Sequence, residues 1–159
     1  YMTIALPVTL ALFGAPLFGG AKPVPLYPVA VRYGEFGAAL VGLAGPLTNL
    51  VLSFVAFIFW MLTGHTSTWL GEFLQLSVVV NLGFFIFNML PIPPLDGSRA
   101  LYAIAPGSVQ RFMSLMEQQG ILIVFALVLV FSSQIGQFIG STSQLILQFY
   151  ASLFGVKVV

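Results

Sequence analysis

The chain has 159 residues, of which 59% are hydrophobic and only 6% charged, with five basic and four acidic side chains giving a net charge of +1. Soluble domains carry about 25% charged residues, so this composition excludes a soluble fold and indicates a polytopic membrane protein. The near-neutral charge, without any basic run, excludes nucleic-acid binding, and the lack of cysteine excludes disulfides and thiolate metal sites.

The chain opens on Tyr1 and is apolar at once, without the basic residues that precede the apolar core of a signal peptide; Lys22 is the first charge. This start suggests the interior of a longer protein. A membrane-crossing helix needs about 20 mainly apolar residues. Four segments meet that requirement: residues 1–20, interrupted by Pro7 and Pro16; 36–63; 70–90; and 120–139. A last apolar stretch, 145–156, is short for a span and is expected to be re-entrant, interfacial or tilted, or to continue the fourth span. Between the first two spans, Pro23, Pro25 and Pro28 favour extended backbone. Residues 29–33 then suggest a short strand or arm. Val109, Phe112, Met113 and Met116 recur at helical spacing, with Arg111 and Glu117 between them, and predict one interfacial helix over 100–119. The expectation is an all-α polytopic membrane protein: about four transmembrane helices, a proline-rich extended segment and an interfacial helix, in a single domain over 1–159. Lys22 and Arg32 in one loop, and Arg99 and Arg111 two spans later, place those loops in the cytoplasm by the positive-inside rule, with Asp96 toward that side.

Two segments interrupt this apolar pattern. In Asn88-Met89-Leu90-Pro91-Ile92-Pro93-Pro94-Leu95-Asp96-Gly97, a carboxylate follows directly on a span. An ionisable group there is costly and marks a functional site whose partner should be sought. The prolines lack N–H donors and are expected to hold the backbone extended, with the Asn88 amide available to a freed carbonyl. Gly97 is expected to supply a backbone angle that other residues resist. Two readings of Asp96 stay open: a rigidly held metal ligand or charge partner, and an N-cap for the next helix with Arg99 neutralising it. In the second segment, Gly45-Pro46-Leu47-Thr48-Asn49, Pro46 interrupts the helix ladder and Asn49 brings an amide into the membrane. Ala38, Gly42 and Gly45 allow close approach of another helix, internal or between subunits.

Together the two segments resemble the site-2 protease family of intramembrane zinc metalloproteases, in its compact prokaryotic form without a PDZ insertion. Ala21-Lys22-Pro23-Val24-Pro25 and Glu117-Gln118-Gln119-Gly120 extend the resemblance over nearly the whole chain. It implies Asp96 as the third zinc ligand, with Asn88, Pro91, Pro93 and Gly97 shaping its turn. It implies that Asn49 and Asn88 contact the substrate backbone or oxyanion, and that Zn2+ is the cofactor of a site incomplete in this chain. The implied partners are a membrane-protein substrate helix and the bilayer, in a prokaryotic plasma membrane. The family's His-Glu-x-x-His helix, which supplies two ligands and the general base, has no counterpart in the sequence. In the family it precedes the region that Tyr1 begins, so the chain is expected to be the C-terminal portion of a protease core. The lone histidine, His65, is expected to be an ordinary loop residue. The alternatives are a catalytically inactive homologue, serving as a scaffold or subunit of a larger membrane complex, and a transporter half with a broken-helix ion site at Asn88 and Asp96.

Overall fold

A computed structural model describes residues 33–63 and 68–156. The first predicted span, the proline-rich segment, residues 29–32 and His65 lie outside the described residues. The described part is all helical: α1 (Gly34–Leu62), α2 (Trp69–Asn88), α3 (Gly97–Ile104), α4 (Gly107–Gln118) and α5 (Gly120–Leu153). Three of its helices are long and apolar enough to cross a membrane: α1, α2, and α5 from Leu122. Large apolar side chains stand exposed all along them, including Phe59, Leu76, Leu129 and Val130. On a soluble protein such surfaces would aggregate; here they face lipid.

Helix lengths explain the layout. α1 has 29 residues and α2 has 20, so α2 returns alongside α1 and ends about 13 Å short of its start. The eight residues of α3 make about 12 Å of helix and occupy that shortfall. A Cβ on Gly42 would lie 3.0 Å from Arg99 Cγ and 3.4 Å from the Asp96 carbonyl oxygen. The small-residue face of α1 therefore receives an element of the same chain. α1 continues through the buried Pro46.

The expected interfacial helix is two helices. Ala105 turns extended (ψ 145°) and Pro106 stands at the N-cap of α4, because the ring of a proline disfavours helical backbone in the residue before it. The fourth span and the last apolar stretch form one helix, α5, so the continuation reading holds. Phe131 interrupts it with φ −114° and ψ 22°, just before Ser132 and Ser133, a serine pair of the kind found at kinks. A straight helix would carry Phe138 about 27 Å beyond Gly120. Yet Gly120 touches Pro94, while Leu127, Phe131, Gln134 and Phe138 line an apolar cleft of about 270 Å³ opposite Leu90 and Ile92. The kink thus turns α5 around the proline segment.

Away from that segment, Phe57, Val78, Leu82, Ile86, Tyr150 and Ala151 form a core joining α1, α2 and α5. Lipid gives helices little hydrophobic reason to associate, so packing and interhelical hydrogen bonds carry more of the work. The buried Ser53 and Tyr150 hydroxyls lie 3.0 Å apart, and both donate to the Leu50 carbonyl, at 2.7 Å and 3.2 Å. Tyr150→Phe removes this tie and should lower stability by about 1 kcal/mol, read from thermal unfolding in detergent. An unchanged midpoint would show that the hydroxyl pair does not hold α5 to α1.

Candidate metal-ligand site

Residues 89–96 are not extended. Leu90 N–H donates to the Phe87 carbonyl at 3.2 Å, Leu95 to Ile92 at 2.8 Å, and Ser98 to Leu95 at 3.0 Å. The Pro93–Pro94 peptide bond is cis. Prolines withhold donors but leave carbonyls, and here the remaining N–H groups close successive turns onto those carbonyls. The segment is a compact coil and not the extended backbone that its prolines suggest.

The role of Gly97 also differs from expectation. Its φ is not positive; it is the first residue of α3. A Cβ there would lie 2.4 Å from the Met89 carbonyl oxygen and 2.9 Å from that of Leu90. Glycine is required because the start of α3 rests on the end of α2. Gly120 plays a like part: a Cβ would lie 2.7 Å from Pro94 Cγ. The end of α2, the face of α1 and the start of α5 therefore all meet the turn that carries Asp96.

Asp96 occupies the N-cap position of α3, but its side chain makes no cap hydrogen bond, and its backbone is already helical (φ −59°, ψ −36°). A side chain caps from extended backbone geometry, so the capping reading fails. Arg99 does not pair with it either: the guanidinium bonds Glu117 Oε1 at 2.9 Å. Among the described residues the half-buried Asp96 carboxylate has no ion pair and no side-chain hydrogen bond. One of its oxygens, Oδ2, faces α1, 3.4 Å from where a Gly45 Cβ would stand. Burial pushes its pKa above the ordinary carboxylate range, and the Arg99 charge pulls it partly back.

The two asparagines stand differently. Asn88 donates its amide to the Phe84 carbonyl at 2.9 Å, which ties it to its own helix and not to the proline segment. Asn49 lies one helical turn beyond Gly45, on the face of α1 that meets the Asp96 turn. No side-chain hydrogen bond engages Asn49 among the described residues. Glu117 and Gly120 were tied to the site in the sequence by resemblance alone; the structure gives each a partner. Ser53 and Tyr150, 97 residues apart, carried no signal beyond being polar in apolar helices.

An uncommitted carboxylate held beside a helix face has the donor chemistry of one zinc ligand. Catalytic zinc takes three protein ligands, and the described residues hold no group of three His, Cys, Asp or Glu that could bind a metal. They fit the ion as one contributor to its site.

Comparison with known proteins bears out the resemblance to site-2 proteases. Residues 62–132, which include Asn88 and Asp96, match the family described as Peptidase family M50. Three relatives carry names beginning "Putative zinc metalloprotease". YwhC of Bacillus subtilis (strain 168) is 34% identical over 119 residues, covering 69% of this chain and 54% of its own length. Rip2 of Mycolicibacterium smegmatis is 34% identical over 137 residues, covering 80% of this chain and 49% of its own. MJ0611 of Methanocaldococcus jannaschii is 46% identical over 63 residues, covering 38% of this chain and 31% of its own. The chain spans about half the length of YwhC and Rip2. No solved structure gives a significant match.

The glycine contacts predict a contrast. Gly97→Ala should destabilise the protein by about 3 kcal/mol, since backbone must move to admit the methyl. Gly107→Ala, with nothing within 4 Å of the added Cβ, should be neutral or stabilising by up to about 1 kcal/mol. Thermal melts of the two variants in one detergent check this; equal midpoints would refute the close packing at Gly97.

Proposed function

We propose that this chain is the part of an intramembrane zinc metalloendopeptidase that contributes Asp96 to the metal site and builds one wall around it from α1 and the proline turn. The observation that carries this reading is the state of Asp96. It lies within the stretch similar to Peptidase family M50, and it is free of a cap or salt bridge among the described residues.

The reaction is addition of water across a peptide bond in a transmembrane segment of a substrate protein. Zinc, when bound, supplies Lewis-acid polarisation of water and of the scissile carbonyl. The chain's own residues do the positioning. The contacts at Gly42, Gly97 and Gly120 hold the Asp96 turn still, as a ligand requires. Gly45 lets the carboxylate stand close against α1, with Oδ2 3.4 Å from where a Cβ would be. The unengaged amide of Asn49, on that face, is the better suited of the two asparagines to bind a substrate carbonyl or its oxyanion. Asn88 buttresses the end of α2. A substrate helix must unwind before it can be cut, because helical hydrogen bonds shield its peptide bonds. The distribution of Lys22, Arg32, Arg99 and Arg111 supports an orientation with Asp96 toward the cytoplasmic side, and the resemblance supports a prokaryotic plasma membrane.

Two measurements test this reading on the full-length protein. Zinc content should fall from about one ion per protein to near zero in Asp96→Ala. Equal stoichiometry would remove Asp96 as a ligand, and a wild type without zinc would favour the inactive-scaffold alternative. With a transmembrane substrate, Asn49→Ala should lower kcat by about 100-fold with zinc content unchanged, while Asn88→Ala should mainly lower the thermal midpoint. A reversed pattern would exchange the roles of the two asparagines.

A further inference from the structure

Arg99 is placed where it ought to neutralise Asp96. It follows three residues later in the same turn, and its N–H donates to the Asp96 carbonyl at 3.0 Å. Side chains at this spacing on a helix are neighbours, and an aspartate–arginine pair there is ordinarily favourable. Arg99 is also near enough for its charge to act on Asp96. A carboxylate paired with arginine is a poor metal ligand, since its lone pairs are engaged and the local charge opposes a cation.

The structure shows the guanidinium elsewhere. The Arg99 stem runs over Gly42, with Cβ and Cγ 3.1 Å and 3.0 Å from where a Cβ of that glycine would stand. Its head group meets Glu117 at 2.9 Å. Glu117 is in the last turn of α4, three residues before Gly120, which seats Pro94. The packing that brings α5 onto the proline turn thus also delivers a carboxylate to Arg99. Side chains of both partners are about one-third exposed, at 32% and 29%, so the pair adds little to stability.

We propose that Glu117 is a positioning residue that draws Arg99 away from Asp96 and so keeps the Asp96 carboxylate open to the metal ion. The inference rests on Asp96 being a ligand. It makes a prediction about sign that a plain structural staple does not. Loss of Glu117 releases Arg99 onto Asp96 and weakens metal binding. Loss of Arg99 removes the competitor and leaves binding intact. Loss of both restores it.

The test is zinc affinity of the full-length protein, measured by competition with a chromophoric chelator, for Glu117→Gln, Arg99→Gln and the double variant. Glu117→Gln should bind zinc about tenfold more weakly than wild type. Arg99→Gln should bind at least as tightly as wild type, and the double variant should match Arg99→Gln. Glu117→Asp, which keeps the charge, should stay near wild type and serves if the glutamine variant does not fold. Thermal midpoints of the metal-free variants should lie within about 3 °C of one another. Wild-type affinity in Glu117→Gln, a loss in Arg99→Gln, or a double variant no better than Glu117→Gln would each overturn the proposal. Asp96→Ala separates it from the reading beneath: zinc retained in that variant sinks the ligand assignment itself. Zinc lost there without the rescue pattern sinks only the role of Glu117.

Discussion

Close approach of backbone around residues 94–99 is the constraint on which the rest of the structure depends. Three glycines make it possible. Gly42 admits the stem of Arg99, Gly97 lets α3 start against the end of α2, and Gly120 lets α5 start against Pro94. Without Cβ atoms at these points, the turn can touch three helices at once, and its position is over-determined. In a membrane this device suits the solvent. Apolar side chains gain little by leaving lipid for protein, whereas small residues gain contact by letting backbones meet.

The electrostatic arrangement follows from the same packing. Four charged residues fall within the stretch 96–117, and the two nearest neighbours, Asp96 and Arg99, are the obvious pair. The last turn of α4 brings Glu117 to Arg99 instead. The result divides the charges by task, with one carboxylate engaged and the other left open. The proline coil contributes by closing its own hydrogen bonds, so the backbone beside Asp96 does not compete for its oxygens.

Much of this was legible in the sequence, and what was not has physical reasons. The spans carried by α1 and α2 follow from apolar length, within two residues or so at each end. Asp96 stood out because a carboxylate after an apolar span is costly. The break at Ala105–Pro106 was written in the sequence but passed over, because the periodicity of Val109, Phe112, Met113 and Met116, all of which follow it, was extended back to residue 100. Three prolines suggest extension because each withholds a donor; that Leu90, Leu95 and Ser98 would still close turns depends on where their N–H groups point in space. Gly97 was singled out for its backbone freedom, whereas a contact with Met89, eight residues away, is what demands it. The Arg99–Glu117 and Ser53–Tyr150 pairs join distant elements, and nothing in one sequence states which polar residues meet.

The difference in length between α1 and α2 has a consequence for where the site lies. Gly45, beside the Asp96 carboxylate, is 11 residues into α1, about 16 Å along its axis. That distance is counted in residues of the protein and owes nothing to the lipid. A thinner or thicker bilayer shifts the surface and tilts the helices, but it does not move the carboxylate along α1. The site therefore carries its own ruler: the level of Asp96 is counted along α1 in residues of the protein, and not in the thickness of the lipid around it.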